Sequence, residues 1–370
     1  MGISKGKINQ AGCYLSGKIS KVSKDEANDL LNHFRSIHQH PMALFRHLID
    51  RKLNKLKIKA LVSQRLKRRP SIIQKLKKQD KMQLSRMQDI GGLRIVVDTI
   101  NEVNLITDEI RKVEKHGGFR FTSANGKNYI ENIAPSGYRS IHLIYKYDKN
   151  IPTEKQCRVE IQIRTKLQHS WATAVEVVGT YLNQPLKQSL GSNKYLDIFK
   201  DVGKLFQELE TGKIEYESIQ KVKQDIERIE LLNKLRSVDI VADYIGNTTK
   251  GQYILLKMDF KQQIVEIVQY GKAKFEQANK DYLKMEMDNS SNRAVEVVLI
   301  SIQDIRKLQQ SYPNYFMDTT EFFKNLDKLF ESAERMQELK NMMNNSKSEK
   351  GKIALNKMFD NIFKETLELF

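Results

Sequence analysis

Three short stretches hold the residue types from which a chemical site could be built. In CRVEIQIRTKLQHSWATAVE, residues 157–176, Glu160 stands between Arg158 and Arg164. With the period of two of a strand, Cys157, Val159, Ile161 and Ile163 face one way, and Arg158, Glu160, Gln162 and Arg164 the other. A carboxylate among cations on such a polar line makes at least a surface ion pair, worth roughly 0 to 1 kcal/mol. In MQDIGGLRIVV, Asp89 precedes a Gly-Gly turn and Arg94 lies just inside the strand that follows; taken alone, Asp-Ile-Gly-Gly is turn chemistry. In PSGYRSIHLIYKY, Tyr138, Ser140 and His142 share one strand face. A tyrosine at the mouth of a sheet either packs on its neighbours or offers its ring to a base. Beyond Glu160, helical spacing puts His169, Thr173 and Glu176 on one face, with Trp171, Val175 and Val178 turned to the core.

The elements that must position these residues follow from periodicity. Ala27, Leu30, Leu31, Phe34 and Ile37, then Leu44, Phe45, Leu48 and Ile49, predict two helices broken at Pro41. The basic segment is extended around residues 62–68 and becomes a helix near Pro70 and Ser71, since proline suits a first helical turn. GGLRIVVDTI, GYRSIHLIYKY and RVEIQIRT are strands, INEVNLITDEIRKVEKH is a helix, and Asn125-Gly126 between alternating runs signals a hairpin. The sum is an α+β chain with a mixed five-stranded sheet flanked by helices. Residues 1–235 are expected to form this domain, with N-terminal helices and a trailing helical segment. Residues 236–316 follow as a small ββαβα domain and 317–370 as a helical tail.

Charge narrows the partners. The chain carries 63 Lys and Arg against 45 Asp and Glu, a net +18. Between Asp50 and Arg86 there are 14 basic and 2 acidic residues, so two thirds of the surplus lies in a tenth of the chain. A solvated helix face accounts for most charge runs, but this density suits polyphosphate or nucleic acid at least as well. Two cysteines, Cys13 and Cys157, exclude a disulfide framework and a four-cysteine zinc site. With no apolar run of membrane length and no signal-peptide core, no membrane partner is expected, and the cytoplasm is the expected compartment.

In this order, RLKRRPSIIQKL, RMQDIGGLRIVV, SGYRSIHLIY and VEIQIRTKLQHSW resemble the synthetase domain of the RelA/SpoT family, over roughly residues 55–180. The resemblance implies a nucleotidyltransferase-like fold and a pyrophosphokinase. Such an enzyme moves the β,γ-pyrophosphate of ATP to the ribose 3′-OH of GDP or GTP, making the alarmones ppGpp and pppGpp of stringent-response signalling. No His-Asp hydrolase motif appears, so a synthetase-only member, like the small alarmone synthetases, is the expectation. On the matching positions, Arg65, Lys67, Ser71 and Lys75 would bind ATP, and Asp89 and Glu160 would hold Mg²⁺. Glu160 would also take the hydroxyl proton. Arg94 and Arg164 would orient the carboxylates or touch phosphate. Tyr138 would stack on guanine, with Arg139, His142 and His169 as further acceptor contacts and Glu176 as a second helix-borne carboxylate.

One position departs from the family. Ala134 in ENIAPSGYRS stands where a lysine contacting the acceptor's 5′-phosphates is expected. Its loss weakens guanine-nucleotide binding by roughly 1 to 3 kcal/mol unless Arg139 or Lys127 replaces it. The same change suits a toxic relative that uses the 3′ end of tRNA as acceptor and arrests translation, an alternative to alarmone synthesis. A non-catalytic RNA- or ribosome-binding relative is the third reading. Homo-oligomerisation, and a regulator bound by the C-terminal domain, are expectations drawn from that domain's position alone.

Overall fold

Alternation of apolar and polar residues decides the central sheet. In the computed structural model, strands β1 (Leu61–Leu66), β2 (Gly91–Val97), β3 (Lys115–His116), β4 (Phe119–Phe121), β5 (Lys127–Asn128), β6 (Ile141–Tyr147) and β7 (Arg158–Thr165) form one mixed sheet. The order is β1-β2-β7-β6-β4-β3, with β5 also on β6. Only β2 and β7 run parallel; the other pairs are antiparallel. Of the expected strands, β2, β6 and β7 form as read, the two runs flanking Asn125-Gly126 contribute the short β4 and β5, the extended stretch around residues 62–68 is β1, and β3 is a two-residue addition at the rim. The structure describes residues 3–113, 115–116, 119–121, 126–147, 157–181, 186, 191–228, 253–259, 264–289, 295–301 and 319–368.

The chain divides into two compact units. The first holds residues 1–130, 140–165 and 245–311. Helices α1 (Lys5–Leu15), α2 (Lys24–Ser36), α3 (Gln39–Leu56), α4 (Arg69–Lys78) and α5 (Ile100–Arg111) belong to it. Leu93, Ile95, Ile161 and Ile163 join Phe45, Ile49, Ile106 and Ile110 in the core between one sheet face and α3 and α5. This alternation leaves Arg94, Glu160 and Gln162 on the other face. The helix break expected at Pro41 falls earlier, at Ile37 and His38, and Pro41 sits in the first turn of α3. A first-turn N–H has no intrahelical acceptor, so proline costs nothing there. Asn125 lies outside the described residues, but the arms on either side of it do not form the expected hairpin. Phe119–Phe121 pairs with Tyr145–Tyr147, and Lys127–Asn128 with Ile141–His142, so both arms line up along the same side of β6, with β3 paired outside β4.

The C-terminal part of this unit is a three-stranded antiparallel sheet of β8 (Tyr253–Asp259), β9 (Ile264–Tyr270) and β10 (Val295–Ser301), in the order β10-β8-β9. It is covered by α9 (Phe275–Asp288), through Ala278 and Tyr282 against Leu255 and Val297. The helix expected over residues 302–310 lies outside the described residues. Near its C-terminal end, α9 carries a buried ion pair. Glu286 Oε2 meets the Arg35 guanidinium of α2 at 2.9 Å, Glu286 Oε1 accepts the Arg69 N–H at 3.0 Å, and the Tyr282 hydroxyl hydrogen-bonds both Arg35 and Glu286. Leaving either charge without the other would cost about 3 to 5 kcal/mol.

The second unit holds residues 131–139, 166–244 and 312–370. Its helices are α6 (Lys166–Tyr181), α7 (Asn193–Thr211), α8 (Tyr216–Arg228), α10 (Thr320–Asn345) and α11 (Glu349–Glu368). Trp171, Phe199, Phe206 and Phe322 stack edge to face or tilted through its centre, and the indole N–H of Trp171 donates to the Phe199 carbonyl at 2.8 Å. Among the described residues no helix is long and apolar enough to cross a membrane.

Candidate active site

Strand pairing brings the two carboxylates into one neighbourhood. Asp89 lies two residues before β2, and Glu160 on β7 is in register with Gly92 of β2. Lys67 follows β1, held by its N–H donating to the Ile90 carbonyl at 2.8 Å, and Lys75 projects from α4. Their ammonium groups meet opposite oxygens of Asp89, Lys67 at 2.8 Å and Lys75 at 3.0 Å. Burial by itself would push the Asp89 carboxyl up, yet the two ammonium groups outweigh it and hold the group at about 2. Lys67 moves the other way. Burial lowers its pKa, and the nearby Lys75 and Arg65 add to that, against the pull of Asp89. The site thus holds more positive charge than its carboxylate offsets, which suits an incoming polyanion.

Both oxygens of Glu160 are also engaged. His142 Nδ1 lies 3.0 Å from Oε1, and Gln162 donates through Nε2 to Oε2 at 2.9 Å. Burial pushes Glu160 up; His142 and the Gln162 hydrogen bond bring it below the usual carboxylate range, while the charge of Asp89 opposes them. Two ionised carboxylates close enough to repel each other are a donor set that a hard dication fits. No group of three or more His, Cys, Asp or Glu that could hold a metal occurs among the described residues. By the chemistry of its donors the pair fits Mg²⁺, which is commonly bound by one or two carboxylates together with substrate phosphates.

Next to Asp89 a cleft of about 710 Å³ is lined by Lys75, Lys81, Arg86 and Arg158, with Asp80 the single acid among the described residues of its wall. Arg158 donates from Nη1 to the Arg86 carbonyl at 2.9 Å. Arg65 is in register with Gly92, Arg94 lies opposite Gln162, and Ser71 occupies the third position of α4, while Arg164 is buried. In the first unit the fold thus gathers Arg65, Lys67, Lys75, Asp89, His142 and Glu160 around the start of β2. Gln162, Arg86 and Arg158 join them without having been singled out for a role. Gln162 carried one signal, its place two residues from Glu160 on the polar line.

Tyr138, Arg139, His169 and Glu176 belong to the second unit. Tyr138 is half-buried, its ring centroid 6.3 Å from that of Trp171. Arg139 is buried and ion-paired to Glu210 at 2.5 Å, and Glu210 also accepts from Gln168. His169 and Thr173 are buried on α6, and Glu176 is half-buried on the same helix. Trp171, Val175 and Val178 are buried, as helical spacing requires. Glu210 escaped sequence reading because it lies 71 positions from Arg139, in a helix with no local link to the strand.

Glycine contact fixes the Tyr138 loop. Gly137 has φ +88°, a left-handed conformation, and a Cβ there would meet the Phe199 carbonyl oxygen at 3.2 Å. A Cβ on Gly203 of α7 would stand 2.8 Å from the Gly137 carbonyl oxygen and 3.0 Å from its Cα. Helix propensity alone would make Gly203→Ala stabilising by about 1 kcal/mol. Contact with backbone on both sides reverses the sign, to a loss of about 1 to 3 kcal/mol. Thermal melts of the variant should show a lower Tm, and a rise would disprove the close approach.

Comparisons with known proteins follow the same residues. Residues 64–184 match the family described as "Region found in RelA / SpoT proteins". The chain is 33% identical over 115 residues to GTP pyrophosphokinase YjbM of Bacillus subtilis, covering 30% of this chain and 52% of that protein. It is 29% identical over 132 residues to GTP pyrophosphokinase YwaC of the same organism, covering 34% and 60%. The chain thus spans about half the length of the curated relatives it matches. Among solved structures, small alarmone synthetase 1 from Bacillus subtilis aligns at 21% identity with a TM-score of 0.41, over 55% of this chain and 100% of that one. Over about a third of its length, the chain carries a RelA/SpoT-type region similar to that of two Bacillus subtilis GTP pyrophosphokinases.

Proposed function

We propose that the protein is an ATP-dependent pyrophosphokinase that transfers the β,γ-pyrophosphate of ATP to the ribose 3′-OH of GDP or GTP. The observation that carries this reading is the pair of ionised carboxylates, Asp89 and Glu160, beside a cluster of cations within a RelA/SpoT-type region. The 3′-oxygen bonds to the β-phosphorus, the bond from that phosphorus to the α,β-bridging oxygen breaks, and AMP leaves with the bridging oxygen. Glu160, ionised and steered by His142 and Gln162, takes the hydroxyl proton. Arg65, Lys67, Ser71 and Lys75 bind the triphosphate, and Arg94 and Arg164 support the carboxylates. Tyr138 stacks on the acceptor base, with Arg139, His142, His169 and Glu176 in the acceptor region. Asp89 and Glu160 would hold Mg²⁺, which supplies charge neutralisation on the phosphate oxygens.

One observation favours a second acceptor. Ala134, whose N–H donates to the Tyr138 carbonyl at 3.3 Å, puts a methyl group where a phosphate-binding lysine is expected, and the 3′ end of tRNA has no 5′-polyphosphate to bind there. Residues 236–316 fit a regulatory role, because Glu286 of α9 contacts the first residue of α4, the helix bearing Ser71 and Lys75. ATP labelled at the β-phosphate, offered separately with GDP, GTP and bulk tRNA, tests the assignment. Label in a guanine nucleotide is expected, label in tRNA alone selects the second acceptor, and label in neither overturns both.

A further inference from the structure

The C-terminal ends of α3 and α5 lie side by side, on the sheet face opposite Glu160. Three lysines converge there on a single acid. Lys112, Lys52 and Lys55 place their ammonium groups 2.8, 3.0 and 3.5 Å from the Glu109 carboxylate. The chain continues from α3 through Lys57 and Lys59, both exposed and without an ion-pair partner among the described residues. Arg111, half exposed and 4.0 Å from Asp108, completes the patch.

A helix C-terminus attracts a cation or two through its dipole, and that would account for Lys55 and Lys112. It does not account for three ammonium groups on one carboxylate, which repel one another, nor for two further lysines beyond the helix end. Such a surplus is stabilised by an external anion with several charges in a row. Among the described residues no exposed aromatic lies in the patch to stack an unpaired base, and Leu105 is its only exposed large apolar residue, too little to anchor in a membrane. What remains is a regularly charged backbone without base readout.

We propose that this patch docks the phosphate backbone of duplex RNA. The choice of RNA rests on the pyrophosphokinase reading, since the alternative acceptor there is an RNA 3′ end; the surface itself stands on its charges. It is not the reaction centre. Lys57 and Lys59 precede Leu61, which pairs with Val96, whereas Lys67 follows Leu66, which pairs with Gly91. The two ends are thus separated by the length of β1, about 20 Å at 3.3 Å per residue.

The test is binding of a labelled RNA hairpin to the full chain, without ATP, across a salt series. The variant carries Lys55→Gln, Lys57→Asn, Lys59→Gln and Lys112→Gln, with asparagine chosen because Lys57 has φ 56°, a left-handed cap that asparagine tolerates. It should bind at least about tenfold more weakly near 0.1 M salt, with a salt slope shallower by about 3. A control losing the same charge at exposed Lys5, Lys21, Lys24 and Lys347 should bind as the unmodified chain does. If the fourfold variant fails to fold, Lys57→Asn with Lys59→Gln should still lower the slope by about 1 to 2. No RNA binding by the unmodified chain, or equal losses in variant and control, would overturn the proposal. A DNA duplex bound as tightly as the hairpin would overturn the assignment to RNA. Failure of pyrophosphate transfer leaves this measurement unaffected, so the two readings fail separately.

Discussion

Glu160→Gln should lower pyrophosphate transfer at least about 10³-fold while leaving the protein folded, a barrier increase of about 4 kcal/mol. Two losses combine. The amide cannot take a proton from the attacking hydroxyl, and it removes one of two carboxylate charges facing the phosphates. The shape is nearly unchanged, so β7 keeps its pairing with β2 and β6, and the amide can still hydrogen-bond with Gln162 and His142. Stability should change little, because the variant loses the charge attraction to His142 but also the repulsion from Asp89. The measurement is initial rate with β-labelled ATP beside a thermal melt. Turnover near that of the unmodified protein would remove Glu160 from the chemistry.

Asp89→Asn is the second large effect, with two independent readouts. Activity should fall by about 10²- to 10³-fold, because the carboxylate that organises Lys67 and Lys75 is gone while both cations remain. Stability should lose an acid-dependent component. The folded carboxyl sits at about 2 against an ordinary 3.8, so the folded state favours its charged form. That contribution is complete above the ordinary value and drains away as pH falls from 3.8 towards 2. Between those limits the melting temperature of the unmodified protein should drop more steeply than that of the variant. Parallel curves over that interval would show that the two lysines do not stabilise the carboxylate. At neutral pH, Lys67 left without Asp89 should lose its proton more readily still, since burial already lowers it.

Much of the frame was legible locally. Alternation of two identified β2, β6 and β7 and put Glu160 and Gln162 on the face away from the core, because strand side chains must alternate and Ile161 and Ile163 demand burial. Proline chemistry placed the start of α4, though at Pro41 the same rule misplaced a break, since a first helical turn accepts proline as readily as a boundary does. Asn125-Gly126 suggested a hairpin, but the neighbouring runs found a better partner in β6 than in each other, and turn propensity does not report on long-range pairing.

The amino-acid sequence by itself determined the donor types, the strand faces, the excess of positive charge and the likeness of residues 55–180 to RelA/SpoT synthetases. Tertiary structure decided which cation answers which carboxylate. Lys67 and Lys75 share Asp89, His142 and Gln162 share Glu160, Arg139 is taken up by Glu210, and Arg35 with the Arg69 N–H is taken up by Glu286. Charge–charge energies fall off with distance in space, not along the chain, and the segments that meet here are separated by as many as 251 residues. Periodicity therefore assigns a side chain to a face, while only the packed fold gives it a partner and, through that partner, a protonation state.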